Sequence, residues 1–144
     1  MSLFGEPEWV GRINGWISIL LANQSLAEPD GRPLYGYRAT QDALDELSED
    51  LRSALAEPES ALFPHSAIVG AGFCVYAAEW WRRNHSGGPW KWEGILASLD
   101  AQRLTPGGER YSLLQKLVEE GLRSWGLEII ETARGRGFLL TLAC

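Results

Sequence analysis

The sequence contains few of the nitrogen and sulfur side chains that bind transition-metal ions. Its only cysteines are Cys74 and Cys144, and its only histidines are His65 and His85. No CxxC or HExxH pair occurs among them, so both the spacing of zinc ligands and the dense cysteine pattern of a disulfide-stabilised domain are missing. We therefore expect reduced thiols and no bound metal ion.

Motifs for nucleotide binding and for catalysis are missing as well. The run GAGFCV at 70–75 lacks the third glycine of a dinucleotide-binding motif, and GxxxxGK[ST] does not occur. Gly70 and Gly72 are better interpreted as places where another helix approaches closely. Cys74 lies in the most apolar stretch, where desolvation opposes thiolate formation, and is interpreted as a packing residue. We expect no cofactor and no catalytic residue, and we predict that this domain is not an enzyme.

Long apolar runs and an excess of positive charge are also absent. The longest apolar run near the start, WISILLA at 16–22, is far shorter than the roughly 20 residues of a membrane span. The N-terminus lacks the basic segment of a signal peptide, and we expect a cytoplasmic protein without membrane contact. Nineteen acidic residues against thirteen basic ones give a formal net charge of -6. That charge disfavours a surface that coats nucleic acid but leaves room for a local basic patch.

What the sequence does contain is helical periodicity. Apolar residues at helical spacing predict about five helices, over approximately 7–24, 41–58, 66–85, 89–100 and 111–126. Thr40 is the expected N-cap of the second helix, and Gly126 is the expected C-terminal cap of the last one. The third helix is apolar nearly all round, which suits a central position in the core. The Pro- and Gly-rich stretch 27–39 is interpreted as an ordered loop with room for one short strand.

The end of the chain changes to a different period. In LEIIETARGRGFLLTLAC, at 127–144, two β-prone runs flank ARGRG, which predicts a β-hairpin. The predicted fold class is therefore α+β, mainly α-helical, with about five helices and a C-terminal β-hairpin. Because the chain ends inside a predicted strand, we expect 1–144 to be a single N-terminal domain of a longer protein.

The stretch EWWRRNHSGGPWKWEG, at 79–94, has two interpretations. In the structural one, its cations occupy the last turn of the central helix, near the negative end of the helix dipole, and Glu79 pairs with Arg83. Three tryptophans then clamp the central helix to the next one: Trp80, Trp90 and Trp92. In the functional one, Trp80 and Trp81 lie about 100° apart on the helix, so a narrow core stripe leaves one of them exposed beside the cations.

The functional interpretation makes this stretch a surface that anchors a partner protein or stacks nucleic-acid bases. The candidate interaction residues are Trp81, Arg82, Arg83, His85, Lys91, Arg134 and Arg136. The expected partner is the remainder of a longer chain or another protein subunit, and nucleic acid is the alternative.

The nucleic-acid alternative depends on the segment 90–144. Its order of helix, turn, helix and hairpin resembles a winged helix, and IIETARGRGFLL resembles the wing hairpin of bacterial response-regulator DNA-binding domains. On the second of these helices, the acidic residues Glu119 and Glu120 lie beside the cations Lys116 and Arg123. The two acidic residues would repel phosphate.

Four motifs resemble the N-terminal region of the YjiT-like family of large bacterial proteins. They are DGRPLYGYR at 30–38, YAAEWWRRNHSGGPWKWEGIL at 76–96, GLRSWG at 121–126 and GRGFLLTLA at 135–143. Members of that family often lie among restriction and mobile-island genes, so the resemblance implies a part in defence against phage or foreign DNA, without implying a reaction. The sequence thus predicts a non-catalytic docking module of a large defence protein, with a winged-helix-like nucleic-acid-binding module as the alternative.

Overall fold

Helices account for nearly all regular structure in the computed structural model, which describes residues 7–30, 34–84, 92–104 and 109–126. The helices are α1 (Glu8–Asn23), α2 (Gln41–Leu55), α3 (Glu59–Leu62), α4 (Ser66–Asn84), α5 (Trp92–Ser98) and α6 (Tyr111–Ser124). Three short 3-10 turns lie between them, at Leu34–Tyr37, Phe63–His65 and Gln102–Leu104. Five of the helices, all except the single turn α3, correspond to the five that the apolar periodicity predicts.

The predicted α+β fold class is wrong for this part of the chain. The described residues contain no strand, so their fold is all-α. The hairpin on which the β assignment rests, with Arg134 and Arg136, lies outside the described residues, as does the wing of the winged-helix hypothesis. In the loop 27–39, where the sequence allows one short strand, residues Leu34–Tyr37 instead form a 3-10 turn.

The reason for that turn is the burial of two side chains three positions apart. Leu34 and Tyr37 are both 0% exposed. A 3-10 turn places residues i and i+3 on the same side, whereas a strand places them on opposite faces. The Tyr37 ring lies against the Trp125 ring at the end of α6, with 4.8 Å between centroids.

Helix α4 forms the centre of the fold and is buried without interruption from Val69 to Glu79, as its all-round apolar sequence predicts. Helix α6 crosses α4 where Gly70 meets Gly121, and a Cβ on either glycine would overlap the backbone of the other helix. Gly72 faces α1, because a Cβ there would come within 2.8 Å of the Ile13 side chain. The interpretation of Gly70 and Gly72 as positions of close helix approach is confirmed.

The helix ends follow the capping signals of the sequence. The Thr40 side chain accepts a hydrogen bond from the Ala43 backbone N–H at 3.2 Å, as expected for the N-cap of α2. Gly126 follows α6 with a φ angle of 73°, a left-handed conformation that glycine adopts without strain. Both predicted caps are confirmed.

The C-terminal end of α2 is satisfied by a distant side chain. The guanidinium of Arg110 donates to the carbonyls of Leu55 and Glu57, at 3.2 and 3.3 Å. The last carbonyls of a helix have no partner within the helix itself, so a donor from elsewhere in the fold stabilises this end. The contact also connects α2 to the residue that precedes α6.

By length and composition, one stretch of the described chain could cross a membrane. It is the 26-residue stretch Glu59–Asn84, and 67% of its most apolar window is buried inside the fold. The core helix of a globular domain passes the same test, so this is weak evidence for a membrane span.

Candidate interaction site

Arg82 and Arg83, two of the predicted interaction residues, both turn back onto Glu79. The Glu79 side chain is 1% exposed although it lies near the end of α4. Arg82 donates from Nε to one carboxylate oxygen and from Nη2 to the other, at 2.9 Å for the second bond. The hydrogen bond to Glu79 raises the pKa of the Arg82 guanidinium. Arg83 Nε lies 3.8 Å from the same carboxylate, which confirms the expected Glu79–Arg83 pair.

Arg83 also connects α4 to the start of α2. Its Nη2 donates to the backbone carbonyl of Ala39, the residue before the N-cap Thr40. The guanidinium thus bridges a buried carboxylate and a loop carbonyl, an arrangement that holds two elements together. Both arginines are therefore structural in the first place, and about a third of each side chain stays accessible, 33% for Arg82 and 29% for Arg83.

The tryptophans of this stretch pack α4 against α5. The Trp80 ring lies over Gly94, where a Cβ would come within 2.6 Å of the ring. Trp92 stacks on Phe73 with 5.7 Å between ring centroids. These two members of the expected clamp are confirmed, and Trp90 lies outside the described residues.

Trp80 and Trp81, of which the sequence predicts one to be exposed, are both partly exposed. Neither Trp80 nor Trp81 is fully buried or fully exposed, because each is half-buried against the core. Helix α4 is enclosed on several sides, so its apolar surface is wider than the narrow stripe assumed for an amphipathic helix. Part of the Trp81 side chain is therefore exposed to solvent, next to Arg82 in the sequence.

The structure brings together only three of the seven predicted interaction residues. Trp81, Arg82 and Arg83 are consecutive on the last turn of α4. The other four lie outside the described residues: His85, Lys91, Arg134 and Arg136. Whether the two parts of the predicted surface meet therefore stays a prediction.

Sequence reasoning missed a groove of about 230 Å³ next to this stretch, between α2, α4 and α5. Its polar lining comes mainly from one face of α2, with Gln41, Asp45 and Arg52, and from Asn84 at the end of α4. Trp80 contributes the aromatic part of the wall. The α2 residues recur at spacings of four and seven, a periodic polar stripe that can be read from the sequence. Taken alone, such a stripe indicates only a solvated helix face.

The groove is lined by groups that already have hydrogen bonds and keep further capacity. Tyr76 Oη and Ser98 Oγ are 2.9 Å apart, and burial raises the pKa of the Tyr76 phenol. Arg52 Nε donates to the Ser98 carbonyl at 3.3 Å. Asp45 Oδ1 accepts from Gln41 Nε2 at 3.0 Å and keeps a second carboxylate oxygen. Such a surface can exchange hydrogen bonds with a peptide, and its described lining contains no nucleophile beside a base.

The described cysteine does not provide a nucleophile either. Cys74 is fully buried, and its thiol lies 3.8 Å from the Leu117 carbonyl and 3.6 Å from that of Val118 on α6. Burial raises the pKa of this thiol far above its ordinary value. Its interpretation as a packing residue is confirmed. Among the residues that the structure describes, no three His, Cys, Asp or Glu side chains gather as metal ligands would.

The cations of α6 are paired along their own helix. Lys116 Nζ lies 2.6 Å from a Glu120 carboxylate oxygen, and Arg123 Nη2 lies 3.0 Å from Glu119. These are the two acids that the sequence places beside the cations of the predicted recognition helix. Phosphate would have to compete with both carboxylates for the same cations.

Comparisons with known proteins identify a family. A family model described as the YjiT N-terminal domain matches residues 6–144. Protein YjiT of Escherichia coli (strain K12) is 32% identical over 143 residues, which cover 96% of this chain and 26% of that protein. The chain therefore spans about a quarter of the length of this curated relative. No solved structure matches.

Proposed function

The chain belongs to the family of YjiT N-terminal domains, as its four motifs indicate, and we propose that it acts as a non-catalytic docking module within a large bacterial protein. The observation that supports this most is the groove between α2, α4 and α5. Its walls offer hydrogen-bonding side chains around the edge of Trp80, and the reactive groups of an active site do not converge on its described lining.

The groove has the composition of a peptide-binding surface. Tryptophan and arginine are the usual anchors of protein interfaces, and Trp80 and Arg52 both line the groove. Asn84 and Gln41 are exposed at its edge, where polar side chains add specificity. A volume of about 230 Å³ suits one or two side chains of a protein segment better than a complete cofactor.

The proposed occupant is a protein segment, either the remainder of a longer chain or a second subunit. The first source is the simpler one, because the E. coli relative is far longer than the matched region. In a protein of which this domain forms about a quarter, the other three quarters of the same polypeptide offer a large surface for contact. Inter-domain contacts of this kind are commonly polar and moderate in area.

The test uses E. coli YjiT as the source of the partner. Its polypeptide outside the matched quarter is expressed separately and titrated with this chain in a calorimeter. We expect binding that weakens at least tenfold when Gln41→Arg and Asn84→Arg are introduced together, because two bulky cations then stand at the edge of the groove. Ser112→Arg, on an exposed position of α6, is the matched control and should bind like the parent chain.

Two results would contradict the docking proposal. The first is absence of binding to the remainder of the relative and also to the remainder of the protein that contains this chain. The second is binding that the groove variant and the control weaken equally. Circular dichroism of each variant separates loss of binding from loss of fold.

The resemblance also supports a role in defence, and we include that role in the proposal. A host strain that lacks the gene for the complete protein should be infected by at least one phage, or transformed by unmodified plasmid, more efficiently than its parent. Equal efficiencies over a broad phage panel and with plasmid DNA would count against the defence role while leaving the docking proposal in place.

A further inference from the structure

A second groove lies on the opposite face of α2, where this helix packs against α1. It has a volume of about 110 Å³ and an apolar floor that includes Trp16, Leu20 and Ala43. The Trp16 indole Nε1 donates to the Ala43 carbonyl at 2.7 Å, which holds the two helices together under the groove. The proposed docking function uses the other face of α2, so the two surfaces are independent.

The wall of this groove carries Ile19, which is 65% exposed. It is the more exposed of two large apolar side chains that stand out from the described surface, the other being Phe63 at 45%. Phe63 has the Lys116 ammonium 5.4 Å from its ring centroid, which gives its ring a polar neighbour. Ile19 instead borders the apolar floor of the groove.

Helices α1 and α2, which form this groove, run antiparallel. Arg12 near the start of α1 lies 3.7 Å from Asp50 in the second half of α2. Beyond the other end of α1, Gln24 donates to the Tyr37 carbonyl, just before α2 begins, at 2.8 Å. The end of α1 therefore lies beside the start of α2.

Two opposite charges stand on either side of Ile19 as a consequence. Along the groove, Arg38 lies towards the end where α2 begins, and Glu46 lies towards the middle of α2. Ile19, in the last part of the antiparallel helix α1, lines the groove at a level between them. Along the helix axes the order is therefore a cation, an apolar side chain and an anion, and we call these three residues the row.

Arg38 is held in an unusual backbone conformation. Its φ angle is 53°, in the left-handed region that residues other than glycine, asparagine and aspartate seldom adopt. Its side chain is exposed, and so is that of Glu46. Within the described part of the chain, no hydrogen bond or ion pair joins either side chain to another residue. Backbone strain of this kind is retained where the surrounding structure demands it, and here it directs a cation to the end of an apolar groove.

From this row of groups we propose that a second copy of the chain covers the groove in a two-fold symmetric dimer. A two-fold axis that passes beside Ile19, in the plane of the contact and at right angles to the row, would bring the two Ile19 side chains together. It would also place Arg38 of each copy against Glu46 of the other, because rotation exchanges the two ends of the row. Both ion pairs then form at once, and the apolar centre is removed from water. The contact is small, so the dimer is weak and depends on concentration.

The test is sedimentation equilibrium over a wide concentration series. The chain has a mass of 16.0 kDa, and its weight-average mass should rise towards twice that value with concentration. Ile19→Asp should remove this rise, because two carboxylates would then meet at the axis. Phe63→Asp introduces the same change at the other exposed apolar position and should leave the association unchanged.

Exchange of the charges tests the two-fold register. Arg38→Glu alone and Glu46→Arg alone should each weaken self-association at least tenfold, because each creates two like-charge contacts. An equimolar mixture of the two variants should associate as the parent chain does. In the mixed dimer, the glutamate introduced at position 38 of one variant faces the arginine introduced at position 46 of the other, and the native Arg38 faces the native Glu46.

Three outcomes would overturn the dimer. They are a monomer at every concentration, association that Ile19→Asp leaves unchanged, and single-charge variants that do not recover when mixed. Recovery on mixing also shows that both variants are folded, so a failure to fold cannot imitate the expected result.

Discussion

At the scale of single residues, four glycines of the helices divide into two kinds. Gly70 and Gly121 lie where α4 and α6 touch, and a Cβ on either would overlap backbone atoms of the facing helix. Gly11 and Gly15 lie inside α1, and a Cβ on either would have no atom within 4 Å. The first pair is required by helix packing, whereas the second pair only lowers the helix propensity of α1.

Alanine substitution should therefore have opposite effects at the two kinds of glycine. Gly70→Ala should lower the free energy of unfolding by about 1–3 kcal/mol, because the helices must separate to admit the methyl group. Gly15→Ala should raise it by about 0.5–1 kcal/mol through helix propensity. Urea unfolding followed by circular dichroism measures both changes. Equal effects at the two positions would mean that α4 and α6 do not cross at Gly70.

Cys74 gives a second residue-scale prediction. Its thiol is fully buried against α6, and burial raises its pKa, so the native state should hold it protonated and inaccessible. In a Cys144→Ser background, where Cys74 is the remaining thiol, a thiol reagent should label the native chain far more slowly than the chain unfolded in urea. Rapid labelling of the native chain would place Cys74 at the surface and contradict the α4–α6 packing.

At the scale of elements, Glu120 links α6 to the beginning of α4. One of its carboxylate oxygens accepts from Ser66 Oγ at 2.7 Å, and the other lies 2.6 Å from Lys116 Nζ. The hydrogen bonds from Lys116 and Ser66 lower the pKa of Glu120 below the ordinary glutamate value of 4.5. The ionised form is therefore favoured by folding. Its contribution is present above about pH 4.5 and is lost as the pH falls through the lowered pKa of the folded state.

Glu120→Gln should remove part of this dependence on pH. At neutral pH the variant should be less stable by about 0.5–1.5 kcal/mol, the range for a hydrogen bond in a folded protein. Its stability should then fall less steeply than that of the parent as the solution is acidified. Glu119→Gln is the control, because its exposed side chain pairs with Arg123 on the same helix. Chemical unfolding at a series of pH values gives both curves, and parallel curves for parent and Glu120→Gln would contradict the linkage.

The five longer helices could be predicted from the sequence because their apolar residues recur at helical spacing or, in α4, form a nearly continuous apolar run, and two helix ends carry a local signal. Thr40 and Gly126 mark ends that depend only on neighbouring residues, and both are confirmed. The 3-10 turn at Leu34–Tyr37 could not be predicted, because it depends on burial beneath Trp125, which is far away in sequence. The α+β assignment is wrong for the described residues because it rests on a β-prone run that lies outside them.

The candidate site shows the same division between local and distant information. The Glu79–Arg83 pair follows from helical spacing and is confirmed. The burial of Glu79, which draws both arginines inward, depends on how α4 packs among its neighbours and has no local signal. The grooves on α2 likewise need the positions of α1, α4 and α5, although the polar stripe of Gln41, Asp45 and Arg52 indicates the face on which one of them lies.

At the scale of the whole molecule, negative charge outweighs positive charge, and several cations of the candidate surfaces already have partners. The formal net charge is -6. Arg82 and Arg83 contact Glu79, while Lys116 and Arg123 pair along α6. A protein that binds nucleic acid through phosphate contacts needs cations that can release counterions from the backbone, and cations already neutralised contribute little to that release.

We therefore expect the isolated chain to bind nucleic acid weakly and without a steep dependence on salt. Fluorescence anisotropy with labelled single-stranded and duplex DNA, at low salt and at about 0.15 M salt, measures this directly. Each phosphate contact would add about -0.9 to the slope of log affinity against log salt for duplex DNA, so several contacts would be easy to detect.

Two double variants separate the nucleic-acid alternative from docking. Arg134→Ala/Arg136→Ala removes the two cations of the predicted hairpin, and Arg82→Ala/Arg83→Ala removes those at the end of α4. Tight, strongly salt-dependent binding that the first variant abolishes would favour the nucleic-acid alternative, because the hairpin cations would then contact phosphate. Weak binding that neither variant changes would count against the nucleic-acid alternative.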